Sequence, residues 1–414
     1  MFFCCLTLRR EFETLAATAT LRRAESGQEF MNADPQAANG NNARTDSPGV
    51  ICFNGTRIAN KRVAMFLECL QRDGYTVRLF AFPRHRWVLD KSEQPLDVRG
   101  TGRWSARIGS PHRNRICAVF CFHWLVLPAA LLWSVWYRVP LIYDEHDFYE
   151  MNSLEGTGGR WKTRLSSLAV HWTHRICLPW VTLTTCIHMA GGILQDHLRR
   201  MTGKVLEMHN YPAAVWRDSA QPQPTDQPLS FVYIGGVWRE KGVGASAEAF
   251  LALPAELRAK AELHIFGTGD AELIRWLRAQ AGIVVHNETV PQDFRRFVQG
   301  RRCVGLAVLA GTPRFLLYGT NCTKLWEYYA LGMPVIGTRV GEFPEHIEAA
   351  GLGLLIDETL SWQQLRDAMA ALVNAPEQCA EMSTRALVLM RQASMTWEAE
   401  WAKVKATGLL PEVR

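Results

Sequence analysis

Three stretches of this 414-residue chain combine residue types that can do chemistry on an anionic substrate. In the first, Gly235-Gly236 closes the apolar run FVYI, and Arg239, Glu240, Lys241 and Gly242 follow before a helical pattern. Small residues there let backbone N–H groups approach an anion, a helix N-terminus adds its dipole, and Arg239 and Lys241 can neutralise a diphosphate. An ordinary polar loop is the competing reading. In the second, Gly267-Thr268-Gly269 lies between the run LHIF and a helix. It is half of a dinucleotide fingerprint, because the third glycine position holds Glu272. It therefore marks a tight strand-to-helix turn and argues only weakly for a nicotinamide cofactor. In the third, TKLWEYYALGMPVIGT (323–338), Asn321 or Thr323 can cap a short helix, Gly332 ends it and Pro334 opens the next strand. Lys324 and Glu327 are three apart and share a face, so a cation and a carboxylate stand together near the helix start, or form a plain surface ion pair.

The elements that must position these residues follow from pattern. GVICFNG (49–55), a helix through Val63, Phe66, Leu67 and Leu70, and YTVRLFAF (75–82) form a βαβ unit of a doubly wound sheet. The 22 residues from Ile116 to Tyr137 contain no charged side chain, enough for a membrane span. The β-favouring start ICAVFCF, the central Pro128 and the helical PAALLWSVWY favour a buried strand followed by a helix. LIYD, a helix-rich region (161–199) and KVLEMH (204–209) complete this half. After SAQPQPTDQP, read as a linker, a second set of βα units runs through FVYI, LHIF, IVVH, VGLAVL, PVIGT and GLLID. The expected organisation is a disordered tail over 1–46, with Met31 as an alternative start, a first Rossmann-like domain over 47–215 and a linker over 216–229. A second Rossmann-like domain spans 230–390, and a closing helix in 391–414 packs toward the first. Strand C-termini of both halves then face one cleft.

Composition narrows the class. Hydrophobic residues at 48% and charged residues at 21% are globular values. The net charge of +6 is uneven, with +9 in residues 51–200 and −2 in 201–414. Basic residues without any nucleic-acid-binding module exclude that class, and an anionic lipid surface or phosphorylated substrate fits better. The arginine-rich stretch 84–115, with Trp87 and Trp104, is a candidate for peripheral contact with an anionic membrane, or a solvated loop. Eleven scattered cysteines read as reduced thiols of a cytoplasmic protein, with peripheral attachment to the inner face of the plasma membrane as a further expectation. Cys117, Cys121 and His123 lack the second ligand pair of a zinc site, so no metal is expected.

The order FVYIGG, REKG, LHIFGTGD, VGLAVL and TKLWEYYALGMPVIGT resembles the C-terminal domain of glycosyltransferase family 4 (group 1). That resemblance implies the α/β GT-B fold, two Rossmann-like domains facing across a cleft. The likeness covers 230–357. More loosely, YDEHD (143–147) is similar to the family's strand-end histidine segment and HNYP (209–212) to its interdomain turn. The resemblance implies a metal-independent, cofactor-free hexosyltransferase that takes a nucleoside-diphosphate sugar as substrate. Glu327 would hold the ribose hydroxyls, Lys241 and Arg239 the diphosphate, and His146 would sit near the donor sugar and acceptor. Gly55 would mark the first glycine turn approaching the diphosphate. His146, Lys241 and Glu327 are the implied catalytic set. Gly55, Gly235, Gly236, Arg239, Lys241, Gly267, Gly269, Thr323, Lys324 and Glu327 form the implied donor-binding set, with Asp144 and Asp147 structural. The sequence departs from the family at Gly319, where a first glutamate is usual, and at Gly236, where an arginine is usual. Lys324 is placed to take part of that lost role. The expected reaction is transfer, with retention, to a surface-polysaccharide or lipid-linked acceptor. The alternatives are a non-catalytic nucleotide-binding subunit and a nicotinamide-dependent Rossmann enzyme.

Overall fold

The structure, a computed structural model, describes residues 47–55, 60–81, 116–154, 160–218, 220–286, 291–312, 315–316 and 322–413. The expected tail (1–46), the arginine-rich stretch 84–115, Gly319 and Asn321 lie outside the described residues.

In the N-terminal half the order is β1 (Gly49–Asn54), α1 (Lys61–Arg72), β2 (Thr76–Ala81), β3 (Ile116–Cys121), α2 (Leu127–Tyr137) and β4 (Leu141–Glu145). It continues with α3 (Tyr149–Leu154), α4 (Arg160–Cys177), β5 (Leu183–Ile187), α5 (Ile193–Arg199), β6 (Val205–Met208) and α6 (Ala214–Asp218). The C-terminal half runs β7 (Leu229–Ile234), α7 (Val243–Leu251), α8 (Ala255–Arg258), β8 (Ala261–Phe266), α9 (Ala271–Arg278), β9 (Ile283–His286), α10 (Pro291–Val298) and β10 (Arg302–Ala307). It ends with α11 (Thr323–Ala330), β11 (Val335–Thr338), β12 (Gly353–Ile356), α12 (Trp362–Asn374), α13 (Pro376–Met390) and α14 (Trp397–Lys405).

Each half is one parallel six-stranded sheet, ordered β2-β1-β3-β4-β5-β6 and β12-β11-β10-β7-β8-β9. Helices cover both faces of a parallel sheet, so its central strands are apolar throughout. This is why β1, β4, β7 and β10 are buried along their whole length. In the first sheet the chain leaves β1 for β2 on one side and returns to β3 on the other. In the second it leaves β7 for β8 and returns to β10. These reversals open crevices at the C-terminal ends of β1 and β7, the places where doubly wound sheets bind ligands. Gly55 follows β1, and Gly235-Gly236 follows β7.

Two expectations need correction. The helix-rich region 161–199 contains strand β5, which the flanking helical patterns masked; its LTTCI is wholly buried between β4 and β6. The segment after Trp216 is not a loose tether. Trp216 is buried on α6, and the buried Gln223 side chain donates to the Cys303 and Gly332 carbonyls and accepts from the Cys303 N–H. The apolar 116–137 stretch folds as β3 and α2, with Pro128 in the first helical turn, where its missing N–H costs nothing. Among the described residues no helix is long and apolar enough to cross a membrane.

Helix α14 returns the chain to the N-terminal sheet. Trp397 and Trp401 meet the Phe66 ring edge-on at 5.0 and 6.0 Å, and Trp401 Nε1 donates to Asp73 Oδ2 at 2.8 Å. Both indoles are fully buried, so Trp401→Ala is expected to cost about 3–5 kcal/mol in urea unfolding; a loss below about 1 kcal/mol would show that α14 is not part of that core.

Candidate donor and transfer site

The site is assembled from the start of α1 and the first turns of α11. Asn60 caps α1, its side chain accepting from the Arg62 N–H at 2.9 Å, and this fixes the directions in which Lys61 and Arg62 leave the first turn. Arg62 points inward. Its guanidinium donates to both Asp144 oxygens at 2.9–3.1 Å, to Asn210 Oδ1 at 2.9 Å and to the Met208 carbonyl at 3.3 Å. Thr185 donates a further bond to Asp144 at 2.7 Å. Asp144 thus has the structural role expected of it, and the asparagine of HNYP ties the end of β6 to α1. Lys61 points the other way and pairs with Glu327 on α11, while its ammonium stands 4.1 Å above the Trp216 ring.

Glu327 is buried in the middle of α11. The local ion pair of Lys324 with Glu327, the competing reading of these two residues, does not form. Glu327 instead meets Lys61 from the N-terminal half, and the Lys324 ammonium lies 4.0 Å over the Tyr233 ring. A Cβ added to Gly235 would lie 3.7 Å from Lys324 Nζ, so this cation reaches the glycine turn at the end of β7. Helix α11 is held there by its tyrosines: Tyr328 accepts from the Ile234 N–H at 3.0 Å and donates to the Leu306 carbonyl, and Tyr329 donates to the His346 carbonyl. Gly305 on β10 has no room for a side chain because the Tyr328 ring occupies it. The helix cap is Cys322, without a side-chain bond, so Thr323 is the first helical residue rather than the cap.

Arg239 and Lys241 form a single 3₁₀ turn that ends at Gly242 in the left-handed region (φ 72°). A side chain at Gly242 would collide with Val308 at 2.8 Å, so this glycine seats the turn against β10. Arg239 is exposed and Lys241 half-buried, with its ammonium 5.2 Å from the Phe315 ring. The glycines after β8 serve a different end. A Cβ on Gly267 or Gly269 would overlap the backbone at Gly235 or Val237, because the two loops pair directly: Val237 N donates to the Thr268 carbonyl at 3.0 Å and Asp270 N to the Val237 carbonyl at 2.9 Å. Gly267 and Gly269 back the Gly235 loop, and this packing alone is a reason for glycine at both positions. Gly236 is limited by its own neighbour, the Trp238 indole, 2.7 Å from an added Cβ.

On the N-terminal side His146 directly follows β4. Its Nε2 is 2.6 Å from the Tyr149 hydroxyl and its Nδ1 is 3.7 Å from Asp144 Oδ2. Burial holds its pKa below the ordinary imidazole value of 6.5, against the raising effect of Asp144, so the ring is neutral at pH 7. His123, at the end of β3, meets the Tyr149 ring at 4.7 Å and leaves Gly55 only 3.0 Å for a Cβ. Gly55, His123, Tyr149 and His146 therefore form one row along the first crevice. The sequence reading missed Lys61, Arg62, His123 and Tyr149. The N-cap Asn60 beside two cations was the available signal for the first two.

Cys117 and Cys121 do not converge with His123 on a metal. Cys117 donates to the Gly49 carbonyl and Cys121 to the His123 carbonyl, and burial pushes the Cys117 thiol up to about 11. Elsewhere among the described residues His188, Glu207 and His209 bring ligand atoms within 4.8 Å of one another. The two imidazoles stack at 4.6 Å with planes 20° apart, so their in-plane lone pairs run side by side rather than toward one point.

Two parallel six-stranded sheets with crevices at their strand ends and a cationic glycine turn in the second define the GT-B fold. Residues 215–387, under half of the chain, match the family of glycosyl transferases group 1, which supports a glycosyltransferase activity. No curated protein matches the chain. Among solved structures it is similar to HepE of Anabaena in complex with UDP and glucose, at 12% identity and TM-score 0.62 over 88% of this chain and 100% of that one. A sucrose-phosphate synthase from Thermosynechococcus elongatus gives 14% and 0.58 over 87% and 98%. WaaG, a glycosyltransferase involved in lipopolysaccharide biosynthesis, gives 14% and 0.57 over 87% and 100%. At these identities the shared property is the fold.

Two outcomes follow from the buried groups. Asp144→Ala leaves the Arg62 guanidinium buried without its carboxylate and is expected to cost about 3–5 kcal/mol by equilibrium denaturation. Because burial lowers the folded-state pKa of His146 below 6.5, its contribution is complete above pH 6.5 and is lost as pH falls through the folded value. The melting temperature should hold from pH 8 to 7 and drop below about 6.5, with a shallower drop in His146→Gln; an unchanged slope in that variant would contradict a buried neutral ring.

Proposed function

We propose that this chain transfers a sugar from a nucleoside-diphosphate sugar to a surface-polysaccharide or lipid-linked acceptor, with retention of configuration and without a metal, as a family 4 type enzyme. The observation that carries the reading is the meeting of Lys324 with the Gly235 turn, one helical turn from the buried Glu327. In this reading the diphosphate lies over Gly235-Gly236, where backbone N–H groups, Lys324, Lys241 and Arg239 face it. Negative charge grows on the phosphate oxygens as the glycosidic bond to the leaving group breaks. Fixed cations and a helix N-terminus stabilise that charge with no reorganisation at the moment of reaction. Glu327 accepts from the ribose hydroxyls, and Lys61, already against its carboxylate, closes that end of the pocket from the N-terminal half. The UDP and glucose bound by HepE support a uridine nucleotide.

On the acceptor side the neutral His146, backed by Tyr149 and His123, offers hydrogen bonds to sugar hydroxyls while adding no charge. That suits a reaction centre that must tolerate a developing oxocarbenium ion. Gly55 at the end of β1 leaves room for the His123 ring, which stands between it and Tyr149. Closure around the donor excludes water that would otherwise intercept the activated sugar.

Titration calorimetry with UDP tests the assignment. Lys324→Ala, Lys241→Ala and Glu327→Ala should each weaken binding about tenfold or more, the scale of one lost charge-assisted hydrogen bond. Unchanged affinity in all three would remove the site from this cleft, whereas full UDP affinity with no turnover of any nucleotide sugar would favour the non-catalytic reading.

A further inference from the structure

Helix α4 is built inside out. Its 18 residues present Trp161, Leu165, Leu168, Trp172 and Ile176 to the outside, each between 52 and 65% exposed. At 3.6 residues per turn these five fall within an arc of roughly 80°. The opposite arc, Thr163, Ser167, Val170, His174 and Cys177, is buried, and three of those five are polar. A water-facing helix of a globular protein has the reverse distribution, with its apolar stripe toward the core. Here the larger apolar side chains point away from the protein.

The same face continues onto α2. Crossovers β3-α2-β4 and β4-α4-β5 run in one direction along the sheet, so right-handed connections place both helices in one layer. They pack side by side over a shared core that includes Leu127, Ala130 and Cys177. Leu132 and Val135 on α2 are 71 and 68% exposed, and Trp180, in the turn after α4, is 73% exposed. An apolar surface of this extent on a soluble protein marks an interaction site.

Charge selects the occupant. Between Glu155 and Asp196 the chain has no acidic residue, while Arg160, Lys162, Arg164 and Arg175 all fall on α4. Lys162, Arg164 and Arg175 are exposed and project at the margins of the apolar arc. A surface of Trp, Leu and Ile edged by three cations, with the Glu150 carboxylate beside α4 paired to His171 and His197, matches the interface of a bilayer with anionic headgroups: indole rings sit at headgroup level, aliphatic chains go below, and cations stay with the phosphates. A copy of the same face would bring like charges together, which argues against self-association.

We propose that the outer face of α2 and α4 lies in the surface of an anionic lipid bilayer, with α4 parallel to the membrane plane. This goes beyond the transfer reaction and does not rest on it. It places membrane contact on residues 127–180 rather than on the arginine-rich 84–115. The helix lies on the bilayer and does not cross it, consistent with an 18-residue helix that carries four cations.

Flotation of the full chain with vesicles of phosphatidylcholine, with or without phosphatidylglycerol, and without nucleotide tests this. The wild type should bind the anionic vesicles, with a blue shift of tryptophan emission. The triple variant Lys162→Glu, Arg164→Glu, Arg175→Glu should bind them about a hundredfold more weakly, at about 1 kcal/mol for each cation. The variant Trp161→Ser, Leu168→Ser, Trp172→Ser should lose the blue shift and the binding while keeping the wild-type melting temperature, as expected for exposed positions. Absence of wild-type binding to anionic vesicles at low salt would overturn the proposal. So would vesicle binding left intact in the serine variant, or a wild-type dimer in sedimentation that the serine variant dissociates, since the face would then join two copies.

Discussion

The arrangement of the cleft depends on one buried ion pair, Arg62 with Asp144. Taking both charges out of water is expensive, and their mutual attraction offsets that cost only where the remaining donors and acceptors are also satisfied. Here Arg62 finds two carboxylate oxygens, an amide oxygen and a carbonyl, and Asp144 finds Thr185 in addition. Those partners come from β4, β5, the end of β6 and the turn beyond it. One guanidinium therefore fixes the start of α1 relative to three strand ends. Lys61 is the residue before it, so its reach toward Glu327 is set by the same constraint, as is the position of His146 two residues after Asp144.

The C-terminal half solves a similar problem with backbone instead of charge. The loops after β7 and β8 cross so closely that side chains at Gly267 and Gly269 would collide with the opposing main chain. Two hydrogen bonds lock the crossing, and the Gly235 turn is left facing outward with Lys324 beside it. The outward set of the Gly235 turn is thus produced partly by glycines packed against the opposing backbone. Tyr328, bonded to β7 and β10, holds α11 at the height where Lys324 and Glu327 reach the strand ends.

The sequence made the two-sheet architecture legible because parallel strands buried on both faces read as continuous apolar runs bounded by glycine. Runs such as FVYI and LHIF can hardly be anything else. Strand β5 escaped because LTTCI is short, half polar by composition and set between two helices; its threonines are buried only because sheet neighbours surround them. The candidate site was legible only motif by motif, Gly235-Gly236 in one and Lys324 with Glu327 in another. It was not legible where partners are far apart: Glu327 meets Lys61 across 266 positions, and Arg62 meets Asp144 across 82. An i,i+3 rule proposes the local partner for Glu327, and tertiary packing supplied a different one. Spacing also could not reveal that Gly267 and Gly269 answer to a neighbouring loop, since a glycine needed for a ligand and a glycine needed for a backbone crossing look the same in one dimension.

Helix α4 shows the same limit in another form. Its periodicity announces two faces, one of Trp, Leu and Ile and one of Thr, Ser and His, and the usual rule would turn the first inward. The surrounding elements decide otherwise. The small and polar residues fit beneath the helix, where His174 stands near the Tyr143 hydroxyl and the Glu145 carboxylate, both of which need a polar partner in a buried setting. With that inner face committed to polar contacts, the bulky side chains have only the outside to occupy. Part of the +9 charge of residues 51–200 borders an apolar surface on α4, while three cations of the mildly acidic C-terminal half, Arg239, Lys241 and Lys324, lie near the glycine turn after β7. The pair formed by Lys61 and Glu327 is one of the contacts that join the two halves, beside the Tyr211 and Trp326 rings.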